Sequence, residues 1–168
     1  MADKKKIVSV TLLVSEILFD IRNKAFLTGR SREAETAKTY EASSNMKASE
    51  DEEDMSQLLR SITTHSGTLK MELAEYLDMS VSSSSNTMIK EGSRVDFGFS
   101  VPSNFNTSVV QTLADGLHAY IVGMSLADWF EITDKADAEG YRNLAMHNLD
   151  VVKRALCKRV RPTRPATT

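Results

Sequence analysis

"NTMIKEGSRVDFGFSV", residues 86–101, is the stretch on which the fold of this chain turns. Val95, Phe97, Phe99 and Val101 alternate with Arg94, Asp96, Gly98 and Ser100, the period of two that belongs to a half-buried strand. Lys90, Glu91, Gly92 and Ser93 have turn chemistry, so the stretch is expected to fold back on itself as a β-hairpin that Pro102 ends. A lone hairpin is marginal in water, so this one should pack on helices or pair with another chain.

On either side the apolar spacing is helical. Val10, Leu13, Val14, Ile17, Leu18, Ile21 and Ala25 form one stripe, which predicts a helix over 9–27 with Gly29 as its C-cap. Residues 28–48 are polar and nearly free of large apolar side chains, and are expected to be a mobile or partner-ordered arm. A second helix should start at Ser49, with the carboxylates of 50–54 at its positive end, and run to about Asp78 before the connector 80–86. The third, capped by Asn106 or Thr107 and running to Phe130, is the most apolar and should sit centrally. A fourth, capped by Thr133 or Asp134, should continue to about Val160, where Arg161-Pro162 stops it. The fold expected is mainly α, a helical bundle of about four helices with one inserted β-hairpin. It forms a single domain, 1–168, with 28–48 and 161–168 as extended or mobile arms.

Composition narrows the function classes. An apolar share of 41% against 26% charged residues fits a globular protein, and a net charge of −2 argues against a general nucleic-acid coat. One cysteine, Cys157, excludes an internal disulfide and a four-cysteine zinc site. The N-terminal apolar run is broken by Ser9, Thr11, Ser15, Glu16 and Asp20, so neither a signal peptide nor a membrane span is expected, and a cytosol-like setting is. His65, His118 and His147 lack metal-ligand spacing and read as solvent-facing or core-satisfied. Cys157 has basic neighbours but sits at a helix end whose dipole opposes a thiolate. The acid run 50–54 lacks the alternating ligands and glycine of a calcium loop, and no glycine-rich phosphate loop exists. No catalysis, no cofactor and no metal are therefore expected.

What remains is the end of the chain. Lys153, Arg154, Lys158, Arg159, Arg161 and Arg164 crowd the last sixteen residues, with no acid after Asp150 and with Pro162 and Pro165 forbidding further helix. The ordinary reading is a cationic helix C-terminus that frays. The functional one is a docking segment for an acidic protein surface, or for DNA phosphates, although no helix-turn-helix signature accompanies it. Since the apolar stripe is complete by Leu156, deleting the residues after it should cost the bundle little.

Three stretches together resemble the head–tail connector (adaptor) family of tailed bacteriophages. "DEEDMSQLLRSITTHSGTLKMELAEYL" resembles the family's opening helix, "VPSNFNTSVVQTLADGLHAYIVGMSLADWFE" its second main helix, and "LDVVKRALCKRVRP" its basic ending. The resemblance spans about 50–165; the helix at 9–27 and the arm at 28–48 exceed the family's minimal pattern. It implies a structural virion protein of the neck, assembled in the host cytoplasm into a ring that is usually twelve-fold. The ring would sit beneath the portal, and DNA would pass through its lumen without sequence-specific contact or any membrane. Lys153, Arg154, Lys158, Arg159, Arg161 and Arg164 would dock on the portal. Subunit contact would involve Val95, Phe97, Phe99 and Trp129, and further neck or tail proteins would bind the arm and hairpin edges. The alternative is a small helical DNA-binding or regulatory protein that lays the same basic tail on phosphates.

Overall fold

The computed structural model describes residues 5–35, 47–48, 51–82 and 87–161, with the backbone alone for 33–35. It is mainly α, with four helices and a two-stranded antiparallel sheet among those residues. Strand β1 (Lys5–Leu13) runs directly into helix α1 (Val14–Glu35). Helix α2 (Glu52–Glu72) is followed by strand β2 (Arg94–Pro102), helix α3 (Val110–Phe130) and helix α4 (Lys135–Leu156).

β2 lies where the alternation placed it, but its partner is not residues 87–90. It pairs with β1, in the register Val8↔Phe99, Val10↔Phe97 and Leu12↔Val95. The turn at 90–93 exists, closed by Ser93 N–H donating to the Lys90 carbonyl at 2.9 Å, yet it leads out of an irregular segment. The expected helix at 9–27 is corrected accordingly: it starts at Val14. Val8, Val10 and Leu12 alternate and are buried, while Val14, Ile17, Leu18, Ile21 and Ala25 keep the helical period. The two patterns share Val10 and part at the next turn: the helical stripe takes Leu13, which is exposed, whereas the strand buries Leu12. What decides is β2, whose backbone groups need a partner strand.

Gly98 shows how β2's far edge is closed. Asp78 N–H donates to the Gly98 carbonyl at 2.7 Å, and the Ser82 hydroxyl accepts from Gly98 N–H at 2.9 Å. Gly98 thus faces away from β1, which makes Gly98↔Ser9 a non-bonded pair of the antiparallel ladder. The backbone of Ile7, Ser9 and Thr11 therefore points outward, and no strand pairs with that edge among the described residues.

α1 outlasts its expected end. Gly29 lies buried within the helix instead of capping it. Thr28 meets the Tyr141 hydroxyl at 3.1 Å, and Arg32 pairs with Asp137 at 2.9 Å, so the first part of the supposed arm is helical and tied to α4. The rest of that arm, 36–46, lies outside the described residues, as do Ser49, the connector residues 83–86, Arg164 and the other residues of 162–168.

The central position of α3 is as expected: Leu113, Leu117, Tyr120, Ile121, Val122, Leu126 and Phe130 are all buried. Asn106 caps the turn that leads into it, accepting from Ser108 N–H at 3.0 Å, and Asp134 caps α4 by accepting from Ala136 and Asp137 N–H. α3 and α4 approach closely because two glycines face α4. A Cβ at Gly123 would lie 3.2 Å from the Tyr141 carbonyl oxygen, and one at Gly116 would lie 2.6 Å from Val152 Cγ2.

Gly123→Ala should accordingly destabilise the bundle by about 1–3 kcal/mol, since backbone must move to admit the methyl. Gly67→Ala, at an exposed mid-helix position on α2 with nothing within 4 Å, should stabilise by up to about 1 kcal/mol. Thermal melts should show opposite shifts, about 2–4 °C per kcal/mol.

Candidate functional site

The basic end divides into two sets. Lys153 is paired with Glu72 on α2 at 2.9 Å, and Arg154 with Asp150 one turn back at 3.0 Å. Lys158, Arg159 and Arg161 are exposed and have no acidic partner among the described residues. Arg159 donates instead to the carbonyl of Leu156 (2.8 Å), an acceptor left at the end of α4, and to that of Lys158 (3.1 Å) just beyond it.

α4 ends at Leu156 rather than near Val160. Beyond it the chain turns and lies along residues 104–106: Asn106 N–H donates to the Lys158 carbonyl at 3.2 Å, and Val160 N–H to the Asn104 carbonyl at 2.8 Å. Phe105, buried between them in sequence, anchors that loop in the core. Continuing the helix would bury nothing further, because Val160 is exposed, whereas the extended path finds backbone partners. A cut after Leu156 would therefore cost more than the sequence suggests, opening the 104–106 loop. A cut after Arg161 spares it.

Between the start of α3 and this exit lies a groove of about 250 Å³ lined by Val109, Thr112, Val151, Arg154, Ala155 and Lys158. Its floor is apolar and its rim carries two cations. None of its neutral members stood out in the sequence, because they come from two helices about forty residues apart.

The expected subunit contacts fare differently. Val95, Phe97 and Phe99 are buried against the molecule's own helices, with exposures of 4%, 0% and 0%, so their side chains offer no surface to a neighbour. The alternating face was correctly seen as apolar, but the bundle covers it. Trp129 is half-buried and packs on the core edge.

A polar cluster escaped the sequence reading. His65 Nε2 meets Asp128 Oδ2 at 2.7 Å, and the Ser61 hydroxyl donates to the same oxygen at 2.5 Å, joining α2 to α3. The serine gives its proton to the carboxylate, not to the imidazole, so the geometry is that of a tie between helices. His118 makes a similar tie to Asp20 of α1 at 2.8 Å. His65 Nδ1 and the hydroxyls of Ser66 and Ser125 are buried without hydrogen-bond partners among the described residues. The one sequence signal was Asp128 itself, one of two acids on the most apolar helix. Among the described residues no group of three His, Cys, Asp or Glu could hold a metal ion, and no helix is long and apolar enough to cross a membrane.

Burial raises the Asp128 carboxyl's pKa, but hydrogen bonds from His65 and Ser61, with the charges of His65 and Arg142, outweigh this and hold it below the ordinary value. A depressed carboxylate adds stability above its unfolded pKa and loses it as pH falls through the folded one. Acid titration of the wild type followed by circular dichroism should thus lose ground to Asp128→Asn below the ordinary carboxylate range. At neutral pH the variant should melt a few degrees lower, as a buried histidine loses a charged partner worth about 1–3 kcal/mol. No family model, curated protein or solved structure matches the chain, so functional assignment rests on this geometry and the sequence patterns.

Proposed function

We propose that the chain is a structural assembly subunit, a head–tail connector of a tailed-phage neck that forms a ring beneath the portal and docks through its basic C-terminal end. The observation that carries the reading is the open edge of β1. Among the described residues the nine of this strand are paired on one side only, and Ile7, Ser9, Thr11 and Leu13 are exposed along it. Monomeric proteins blunt such edges, because unpaired N–H and C=O groups recruit a strand from another chain. Lys5 and Lys6 guard the first positions, which leaves 7–13 as the pairing segment. Support at the other end comes from Lys158 and Arg161, exposed on a segment that backbone hydrogen bonds hold in place.

Ser9→Pro tests this reading with little risk to the fold. The Ser9 N–H points away from β2, so proline removes no ladder bond, yet it blocks outside pairing. The wild type, alone or mixed with the portal protein of the same genome, should sediment as a multimer, and Ser9→Pro as a folded monomer. A wild type that stays monomeric in both conditions would remove the proposal. If that monomer bound bare duplex DNA with affinity falling steeply in log salt, the phosphate-binding reading would replace it.

A further inference from the structure

We infer that the groove between the start of α3 and the end of α4 seats an acidic polypeptide segment that inserts one apolar side chain between its carboxylates. The inference deepens the docking reading above, by naming the chemistry of the docked partner, and rests on it.

Three features define the occupant. The volume, about 250 Å³, falls below the range usual for small-molecule sites and suits a single side chain. The floor, Val109, Val151 and Ala155, is apolar, so an ion alone would leave it wet. The rim supplies positive charge on one side: the Lys158 ammonium has no acidic partner among the described residues, and Arg154 is held only by Asp150, an exposed pair of the kind that contributes about 0–1 kcal/mol and exchanges readily. Arg161 adds a third cation three residues further along the same segment. The seat is also preformed. Lys158 N–H donates to the Ala155 carbonyl at 3.0 Å and its own carbonyl accepts from Asn106, so docking need not order the backbone that carries the cation. Duplex phosphates would satisfy the cations and leave the floor uncovered, which is why a peptide is the better match.

Isotope-labelled full-length chain is titrated with two synthetic peptides, Asp-Glu-Glu-Leu-Asp-Glu-Asp and its Leu→Ser counterpart, and with a short DNA duplex, while amide resonances are followed. The leucine peptide should shift Val109, Thr112, Val151, Ala155 and Lys158, with the serine peptide about ten-fold weaker or worse. Thr112→Phe fills the seat without touching a charge, and Lys158→Glu reverses a charge without touching the floor; both should weaken the leucine peptide about ten-fold. Circular dichroism confirms that each variant is folded, and should Thr112→Phe fail that check, the peptide pair and Lys158→Glu decide. Equal binding of both peptides, binding of the duplex alone at these residues, or no binding at all overturns the inference. Attachment to purified portal separates the two readings. Portal binding that survives in folded Thr112→Phe overturns the groove and leaves the connector assignment standing. Leucine-selective binding at the groove, in a chain that neither assembles nor binds portal, supports the groove and overturns the connector.

Discussion

The spacing of α3 and α4 sets most of this molecule. Gly116 and Gly123 stand seven residues apart on one face of α3, and α4 lays Val152 and Ala145 into the room they leave. Close approach lets a helix bury nearly its whole circumference, and α3 does so: residues on several faces, from Leu113 to Phe130, are inaccessible. Every other element is then placed by what it covers on that helix or on the sheet beside it. The same spacing shapes the groove. Thr112 lies one turn before Gly116, and Ala155 lies just beyond Val152, so the helices that touch at the glycine part around these side chains. A wider pair would leave a flat trough there, and a pair capped by larger residues would leave none.

Polar ties fix the helices at chosen heights on this apolar frame. Asp20–His118 joins α1 to α3, Asp128 with Ser61 and His65 joins α2 to α3, and Arg32–Asp137 joins α1 to α4. Apolar stripes alone permit sliding by a helical turn, since one leucine replaces another at modest cost. A buried imidazole separated from its carboxylate does not, because an unsatisfied charged acceptor costs more than a misplaced methyl. These pairs therefore specify register more than they add stability.

How far the residues announce all this depends on whether the deciding partner is near in sequence. Asn106 caps the turn into α3 and Asp134 caps α4 by bonds two or three residues long, and the sequence narrows each cap to two adjacent residues. The inward face of β2 is equally legible, since Val95, Phe97 and Phe99 alternate. What alternation cannot say is which strand lies alongside: the partner begins 89 positions earlier, in a stretch whose apolar letters also fit a helix. Alternation is equally silent on what covers Val95, Phe97 and Phe99, for which the resemblance implies a neighbouring subunit. A face known to be apolar needs a cover, and only the tertiary structure shows the cover to be the protein's own bundle. Asp128 and the groove failed differently, being built from residues that mean nothing singly.

The exit of the chain from α4 joins the sheet to the basic end. β2 ends at Pro102, which cannot donate to a ladder, and Phe105 then plunges into the core. The short loop between them leaves Asn104 and Asn106 with backbone groups to satisfy, and residues 158–160 satisfy them. The segment bearing Lys158 and Arg159 is thus fastened to the end of the very strand whose partner presents the open edge. Backbone hydrogen bonds and a buried aromatic connect the two surfaces through about a dozen residues. In a ring whose subunits join through β1, such coupling would hold the basic ends of all copies in one orientation before any partner arrived. Multivalent attachment by weak exposed charges gains from that arrangement, because each docking event raises the effective concentration of the next when the remaining ends can reach the partner.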